Sequence, residues 1–471
     1  MSRSVFLFAL VFSFIQIFSF IQAPAAYAQD ASGADIAAYR EAADQLIEAA
    51  LADSSAYNRL AYLVDTFGPR FSGTDNLERA IDWILEEMTG DSLENVRGEE
   101  VMVPHWVRGD EALTLLEPRE EVLQVLGLGG SVGTGAEGIE ADVLVVGSFD
   151  ELDRRRDEAE GKIVVYNVPF TTYGQTVQYR VAGANRAAEA GAVASLVRSL
   201  GPFSMATPHT GVMRYDADVQ RIPHAAVTVE DAMMMQRMQD RGQPLRLRLQ
   251  MEAETLPDVP SRNVVAEIVG REKPEEVVVL GGHIDSWDVG QGAMDDGGGC
   301  VAAWEAVRLM KKLGLRPRRT VRVVLWTNEE NGLRGGEAYR DQHESELENH
   351  VLAIESDAGT FKPTGFGFTG TPEAYAIVQE IGRLLAPIEA GTITRGGGGA
   401  DIGPMRPYGV PLMGLAVDSE KYFWYHHTPA DTIDKLDPDE LARCVAAMAV
   451  MSYVVAELPE GLPRDAPEGS E

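Results

Sequence analysis

Polar residues collect where apolar segments end in the C-terminal half of the chain. His283-Ile284-Asp285 closely follows the apolar run at residues 277–280, and Glu329-Glu330 closely follows the run at 321–325. In open α/β sheets, ligands bind outside the carboxyl ends of the strands, so these positions favour chemistry over packing. Three further polar segments complete the set, namely residues 292–299, 355–357 and 426–432.

The residue types in these segments indicate acid–base and metal chemistry. Side chains alternate along a strand, so His283 and Asp285 face the same side, where the carboxylate can orient the imidazole. Glu329 and Glu330 repel each other at the end of a buried strand, which raises the pKa of at least one of them. That cost is explained if a cation neutralises one carboxylate while the other serves as a general acid or base.

Residues 292–299 form a glycine-rich loop that carries two adjacent acids, Asp295 and Asp296. Glycines allow the backbone to approach a bound ion or substrate closely. A phosphate cradle is the alternative for such a loop, but two carboxylates would repel phosphate unless a metal intervened. The loop therefore favours a metal site.

Histidines and carboxylates without a thiolate suit a pair of divalent ions, zinc above all, with one carboxylate bridging them. The chain has only two cysteines, Cys300 and Cys444, and both are predicted to pack as small apolar residues. A two-metal site with ions about 3.5–4 Å apart lowers the pKa of a shared water and polarises a carbonyl. The expected reaction is therefore hydrolysis of an amide.

In order and spacing, these motifs resemble those of the co-catalytic zinc exopeptidases, the family of bacterial leucyl aminopeptidases and glutamate carboxypeptidase. That family carries H-x-D, a G-x-x-D-D-G loop, E-E, a later D and H-T-x-x-D-T. The longer stretch at residues 281–299 is most similar to the plasma glutamate carboxypeptidase branch. The matching segments here are residues 283–285, 292–297, 329–330, Asp357 and 427–432.

The resemblance implies a role for each matching residue, with two zinc ions as cofactors. Glu329 would be the general base that takes a proton from the attacking water and returns it to the leaving amine. Asp285 would orient His283. The five metal ligands would be His283 and Asp357 on one zinc, Glu330 and His427 on the other, and Asp295 bridging them.

Three further residues receive weaker assignments from the same resemblance. His426 directly precedes the ligand His427, where related enzymes can place a group that stabilises the tetrahedral intermediate. Asp401 lies in a glycine-rich loop that is expected to line the substrate cleft, with a simple turn residue as the alternative. Asp296 either caps the following helix or supports a metal ligand.

The sequence pattern of the elements that must position these residues predicts an α/β fold. Continuous apolar runs at residues 264–269, 277–280, 321–325 and 351–354 alternate with helical patterns such as 301–313. This predicts a mixed, mostly parallel sheet with helices on both faces, the fold that the zinc exopeptidase resemblance also implies. The final helix is predicted at residues 437–458.

The predicted domain organisation is discontinuous. Residues 31–135 and 256–460 are assigned to the catalytic domain. Short strand patterns between them predict a β-rich insertion at residues 136–255, with one helix at 182–190, and this insertion resembles a protease-associated domain. Residues 461–471 are rich in proline, glycine and acids and are predicted to be a disordered tail.

Composition and the N-terminus limit the partners and the location. The chain has 73 acidic and 41 basic residues, and a net charge of −32 argues against nucleic-acid binding. Arg3, an apolar run at residues 5–21 and Ala26-Tyr27-Ala28 predict a cleaved signal peptide at 1–28, with a retained anchor as the alternative. We therefore expect a secreted or periplasmic protein with no stable membrane insertion.

The expected activity is hydrolysis of dipeptides or short peptides with a free N-terminus, as the resemblance implies. A broad aminopeptidase that acts on longer peptides is the main alternative. A binding protein on an inactive peptidase fold and a one-zinc glutaminyl cyclase are also considered, but the complete ligand set argues against both. The resemblance further implies a homodimer and an insertion that covers one side of the cleft.

Overall fold

The computed structural model describes residues 36–467 and 469, and the predicted signal peptide at 1–28 lies outside them. The strands are, in chain order, β1 (Glu94–Val107), β2 (Glu111–Glu117), β3 (Glu121–Leu123), β4 (Val125–Gly127), β5 (Ile139–Val146), β6 (Ile163–Tyr166), β7 (Ala194–Arg198), β8 (His224–Val227), β9 (Arg246–Met251), β10 (Glu254–Ile268), β11 (Lys273–His283), β12 (Arg319–Trp326), β13 (His350–Glu355), β14 (Pro363–Thr369), β15 (Thr392–Arg395) and β16 (Leu412–Val417).

The α-helices precede, separate and follow these strands. They are α1 (Arg40–Ala52), α2 (Ser55–Phe67), α3 (Asp75–Gly90), α4 (Phe149–Arg154), α5 (Arg156–Ala159), α6 (Tyr173–Thr176), α7 (Gln178–Val181), α8 (Gly183–Glu189), α9 (Val229–Asp240), α10 (Gly298–Lys312), α11 (Arg334–Gln342), α12 (Pro372–Gly382), α13 (Tyr422–Tyr425) and α14 (Pro438–Glu457). Short single-turn helices connect several of them, including residues 403–408 between β15 and β16.

The larger sheet has eight strands in the order β1-β10-β12-β11-β13-β16-β14-β15. Its centre is parallel, because β11 pairs in parallel with both β12 and β13, and β13 pairs in parallel with β16. Antiparallel pairs join β1 to β10, β10 to β12 and β14 to β16. The predicted mixed, mostly parallel sheet is confirmed.

Helices cover both faces of this sheet, as its continuous apolar strands require. On one face, Val278 and Leu280 of β11 pack with α10 and α14 in the larger core. On the other, Val277 and Val279 pack with Tyr339 of α11. Alternate residues of one strand therefore enter two separate cores.

The final helix, α14, is buried against one face of the larger sheet. Pro438 occupies its first turn, and the Asp437 carboxylate caps it by accepting hydrogen bonds from the backbone N–H groups of Asp439 and Glu440. Fifteen of its twenty residues are buried, which explains why its sequence is apolar on all sides. The structure matches the predicted helix to within one residue at each end.

The second sheet also has eight strands, in the order β3-β2-β9-β5-β6-β7-β8-β4. It includes β2, β3 and β4 at residues 111–127, which the sequence analysis assigned to the catalytic domain at 31–135. The reason is the antiparallel pairing of β2 with β9, which buries Leu113 and Leu115 against Leu247 and Leu249. Strand patterns alone do not show which distant strand is the partner.

The insertion is also richer in helix than predicted. Besides the expected helix near residues 182–190, found as α8, the structure contains α9 and four short helices between the strands. Thr228 caps α9, because its hydroxyl oxygen accepts a hydrogen bond from the Asp231 backbone N–H at 2.9 Å. The second unit is therefore α/β, and its sheet extends over residues 111–251.

The tail at residues 461–471 differs from the prediction of disorder in its first part. Leu462 is 3% exposed and packs in the larger core. The Arg464 guanidinium donates hydrogen bonds to the carbonyl oxygens of Leu347 and Tyr408, each at 2.8 Å. Composition predicted disorder there because it does not show that one arginine can satisfy carbonyl groups of distant loops.

No helix within the described ranges 36–467 and 469 is long and apolar enough to cross a membrane.

Leu441 tests the assignment of α14 as a buried element. Replacing this fully buried side chain by alanine should lower the free energy of unfolding by about 2–5 kcal/mol, because it leaves a cavity in the core. Urea unfolding followed by circular dichroism measures the change. The matched control is Leu313→Ala at a position that is 38% exposed, and an equal effect of both variants would contradict the assignment.

Candidate active site

The carboxyl ends of three neighbouring parallel strands bring the predicted residues together. His283 ends β11, Glu329 and Glu330 follow β12, and Asp357 follows β13. Because β11 lies between β12 and β13, its histidine is placed between the two acidic segments. The loop before α10 contributes Asp295 from the side.

Asp295 lies between the two predicted ligand histidines. Its Oδ1 is 3.2 Å from Nε2 of His283, and its Oδ2 is 3.3 Å from Nε2 of His427. Each carboxylate oxygen therefore faces a different imidazole. This is the arrangement that a bridging carboxylate between two cations requires.

The remaining predicted ligands complete a pair of adjacent groups. Glu330 Oε2 is 2.9 Å from His427 Nε2, and Asp357 Oδ1 is 3.4 Å from His283 Nε2. The ligand atoms of His283, Asp295 and Glu330 all lie within 4.8 Å of one another, as do those of His283, Asp296 and Asp357. The structure thus brings together all five predicted ligands.

Several polar side-chain atoms of these residues are buried without a hydrogen-bond partner. Among the described residues they include Asp295 Oδ2, Glu330 Oε1 and His427 Nδ1. Buried polar atoms are normally paired, because an unpaired one keeps its desolvation cost. The set of two imidazoles and three carboxylates, two of which have an unpaired oxygen, fits a pair of divalent cations.

The pKa shifts of the cluster also indicate a site for cations. Burial raises the pKa of Glu330 to about 7, with the negative charge of Asp295 adding to the effect. Burial and the charges of Asp357 and Glu330 raise the pKa of Glu329 well above its usual range. For His283, burial lowers the pKa, but the neighbouring carboxylates outweigh it and raise the pKa. Bound cations would relieve this crowding of carboxylates.

Asp285 positions its neighbours by two different groups. Its backbone carbonyl lies 3.0 Å from His283 Nδ1, and its Oδ1 lies 3.7 Å from the same nitrogen, so both the main chain and the carboxylate contact the imidazole. The carboxylate also accepts hydrogen bonds from the backbone N–H groups of Glu329 at 3.0 Å and Glu330 at 3.3 Å. The Asp285 carboxylate therefore lies beside the imidazole of His283 and also fixes the backbone of the two glutamates.

Asp296 serves as a cap in the structure. One carboxylate oxygen accepts a hydrogen bond from the backbone N–H of Gly299 at the start of α10, at 3.0 Å. The other accepts from the backbone N–H of His283 at 3.1 Å. Asp296 therefore joins the helix to the ligand-bearing strand, and both sequence interpretations have a structural counterpart.

The loop that carries Asp401 reaches the cleft, as expected, but Asp401 itself is buried. It is 1% exposed, and neither of its carboxylate oxygens has a hydrogen-bond partner within the described part of the chain. Its neighbour Ala400 lines the cleft instead. Glu355 holds this loop by accepting hydrogen bonds from the backbone N–H groups of Ala400 at 2.9 Å and Ile402 at 3.0 Å.

Two residues that shape the ligand loop received no role in the sequence analysis. Asp431 accepts hydrogen bonds from the backbone N–H groups of Ala293, Met294 and Asp295, at 3.1, 2.7 and 3.2 Å. The fully buried Arg70 donates to the carbonyl oxygens of Ile284 at 2.9 Å and Gly292 at 2.8 Å. Asp431 belongs to the H-T-x-x-D-T motif, so the sequence contained a signal for its role. For Arg70 the sequence offered only its turn-rich surroundings, which do not indicate a role.

The connection between β7 and β8 of the second unit also contributes a histidine that sequence reasoning missed. His209 Nε2 is 2.9 Å from Nδ1 of His426, and both rings are buried. Nε2 of His426 is in turn 3.5 Å from Asp295 Oδ2. Burial lowers the pKa of His426 well below its usual range, so the ring is neutral at neutral pH.

Residues of both the catalytic part and the second unit line the cleft next to these groups. The catalytic part contributes Asp295, Glu329, Glu330, Asp357, Ala400, His426 and His427. The second unit contributes Tyr173, Arg180, Val212 and Arg214.

Asp431→Asn tests whether the loop that carries Asp295 depends on this buried carboxylate. One acceptor oxygen is lost, so we expect a folded protein whose metal affinity is about 10–100-fold weaker. Competition with a chelator of known affinity measures the change. Asp434→Asn, an exposed position in the same segment, is the matched control. Unchanged metal affinity in Asp431→Asn would show that the loop does not need this support.

Comparisons with known proteins agree with the site. The family profile "Peptidase family M28" matches residues 263–452. Carboxypeptidase Q from Bos taurus and from Homo sapiens are each 51% identical over 91% of this chain and 92% of the relative.

Solved structures of peptidases are also similar to this chain. A peptidase M28 precursor from Shewanella amazonensis is similar with a TM-score of 0.87 and 34% identity, over 91% of this chain and 99% of that chain. A zinc aminopeptidase from Bacillus subtilis shares the fold with a TM-score of 0.64 and 21% identity, over 87% of this chain and 98% of that chain. The chain belongs to peptidase family M28, which confirms the resemblance to zinc-dependent exopeptidases predicted from its motifs.

Proposed function

We propose that this M28 peptidase holds two zinc ions and hydrolyses the peptide bond of dipeptides or short peptides with a free N-terminus. The single observation that carries the two-ion proposal is Asp295, whose two oxygens lie 3.2 and 3.3 Å from the imidazoles of His283 and His427. The 51% identity to carboxypeptidase Q supports the exopeptidase activity. An aminopeptidase that acts on longer peptides is the alternative.

The ligands divide into two groups around Asp295. His283 and Asp357 would hold one ion, and Glu330 and His427 the other, in agreement with their pairwise distances of 3.4 and 2.9 Å. When bound, the zinc pair supplies Lewis acidity, which polarises the peptide carbonyl and makes water acidic enough to lose a proton near neutral pH.

Glu329 is the group that moves the proton in this proposal. Its carboxylate lines the cleft, while its backbone N–H is held by Asp285 at 3.0 Å. Burial raises its pKa, which matches the carboxylate to accepting a proton from water and returning it to the leaving amine. Glu330, one residue later, turns toward His427 instead, so two adjacent carboxylates have different roles.

In the same proposal, His426 stabilises the charge that develops on the substrate carbonyl. It lines the cleft and packs against His427 with ring centroids 3.6 Å apart. Its Nδ1 faces His209, so its Nε2 is the nitrogen directed to Asp295 and the reaction centre. A neutral imidazole that donates a hydrogen bond there acts as part of an oxyanion site.

The second unit covers one side of the cleft in this proposal and limits access to short peptides. Tyr173 and Val212 line the cleft from that unit, and the backbone N–H of Thr210 donates to the His427 carbonyl at 3.0 Å. We assign the catalytic domain to residues 31–110 and 256–460 and the cover to the segment between them. Export by the predicted signal peptide and assembly as a homodimer are part of the same proposal.

Replacing Glu329 and Glu330 one at a time separates the two roles. Glu329→Gln should keep the fold and the zinc content but lose about 10²–10⁴ in kcat, because an amide cannot accept the proton. Glu330→Gln should instead weaken zinc binding, because it removes a charged ligand. Dipeptide hydrolysis and zinc content per chain measure the two effects.

Each variant serves as the control of the other, because both make the same change at adjacent residues. Near wild-type turnover in zinc-loaded Glu329→Gln would refute the general-base assignment. Loss of zinc from Glu329→Gln to the same extent as from Glu330→Gln would refute the separation of roles.

A further inference from the structure

His209 is a buried histidine of the second unit whose ring reaches the catalytic part. It is 2% exposed and lies in the connection between β7 and β8. Its Nε2 is 2.9 Å from Nδ1 of His426, and its ring stacks on that of His427 with centroids 5.3 Å apart. The proposed function gives His209 no step of its own, so this position needs an explanation.

Hydrogen bonds of the main chain hold His209 in place from both units. Its backbone N–H donates to Ser199 Oγ at 3.0 Å, and the Ser199 hydroxyl donates to the Val227 carbonyl at 2.7 Å, where the parallel strands β7 and β8 end. The next residue, Thr210, donates its backbone N–H to the His427 carbonyl at 3.0 Å. The ring of His209 is therefore fixed against His426 by the fold of its segment.

A third metal site is the alternative explanation for this group of histidines. The ligand nitrogens of His209, His426 and His427 all lie within 4.8 Å of one another. A bound cation lies close to the plane of each imidazole, at about 2.0–2.1 Å from the nitrogen. The rings of His426 and His427 stack with centroids 3.6 Å apart and planes 21° apart, so a cation cannot lie in both planes at that distance. The geometry fits a hydrogen-bonded pair of imidazoles beside a ligand histidine.

The direction of the hydrogen bond follows from the groups at its two ends. Two imidazole nitrogens 2.9 Å apart share one proton, which either ring can carry. If His426 donated from Nδ1, its Nε2 would turn a lone pair toward Asp295 Oδ2 at 3.5 Å. Nδ1 of His209 would also become a buried N–H group without a partner among the described residues. Donation from His209 Nε2 avoids both costs, because an unpaired buried acceptor is tolerated better than an unpaired N–H.

We propose that His209 is a positioning residue that fixes the tautomer of His426. By donating from Nε2 to Nδ1 of His426, it keeps the proton of His426 on Nε2, the nitrogen directed to the reaction centre. That Nε2 is 3.5 Å from Asp295 Oδ2, longer than an ordinary N–H···O bond, so its N–H is free to donate to the developing oxyanion. This inference rests on the proposed hydrolysis and on the role of His426 in it. It makes the second unit part of the catalytic machinery as well as a cover.

Glutamine and methionine at position 209 separate hydrogen-bond donation from packing. The two side chains have similar length, but only the amide can donate to His426. In zinc-loaded full-length protein, His209→Gln should keep most of kcat for alanyl-leucine, whereas His209→Met should lose about 10–100-fold in kcat. KM and zinc content should change little, because the oxyanion forms only in the transition state. Steady-state kinetics and elemental analysis measure these quantities.

A double-mutant cycle tests whether His209 acts through His426. His426→Ala alone should lose about 10²–10³ in kcat, as expected for an oxyanion donor. In that background, His209→Met should lower kcat by less than about twofold, because the group that it positions is gone. Thr207→Val changes a partly exposed residue of the same connection and is the matched control, which should keep the wild-type kcat.

NMR of zinc-loaded wild-type protein labelled with ¹⁵N-histidine measures the tautomer without an activity assay. We expect a protonated Nε2 and an unprotonated Nδ1 on His426, with a coupling across the hydrogen bond to Nε2 of His209. Loss of the signals in His426→Ala assigns them. A proton on Nδ1 of His426 and none on its Nε2 would overturn the proposal, whatever the variants do.

The outcomes distinguish this inference from the proposed function. If the wild type cleaves no dipeptide, the proposed function fails and the catalytic role of His209 falls with it. If His209→Met keeps the wild-type kcat, loses no more than His209→Gln, or loses the same factor in the His426→Ala background, the positioning role is overturned while the peptidase remains. If both variants at position 209 lose one zinc ion per chain, the imidazoles bind a metal and the positioning role is also overturned.

Discussion

The repulsion among buried carboxylates at one edge of a sheet is the constraint on which the rest of the structure depends. Asp295, Glu329, Glu330 and Asp357 line one cleft, and burial raises the pKa of Glu330 to about 7. Such a cluster is unfavourable by itself and becomes favourable around divalent cations. The fold must therefore hold these groups together rigidly while leaving their oxygens unpaired for the ions.

Backbone hydrogen bonds provide that rigidity. The carboxylates of Asp285, Asp296 and Asp431 each accept N–H groups from the segments that carry ligands, and Arg70 donates to the carbonyl groups of the same loops. These hydrogen bonds determine where the candidate ligands lie. The second unit adds His209 and Arg180, so the active site is completed by two parts of the chain that have separate sheets.

Much of the fold, and the grouping of the candidate ligands in one cluster, could be predicted from the sequence, because the signals lie close together along the chain. His283, Glu329 and Asp357 each lie at or just beyond the carboxyl end of an apolar strand, and helix α14 has a recognisable start at Asp437-Pro438. The missed residues act across long sequence separations, such as the 217 residues between His209 and His426. The early start of the second sheet at β2 was missed for the same reason, because its partner β9 lies more than a hundred residues later. Periodicity shows that a strand exists but not where it pairs.

The bridging position of Asp295 is the central claim, and zinc content per chain tests it most directly. The measurement is elemental analysis of protein that has been loaded with zinc and dialysed, with dipeptide hydrolysis assayed on the same sample. The account predicts about two zinc ions per active chain, and a lower number when Asp295 is replaced by alanine. One zinc ion per chain together with full activity would contradict it.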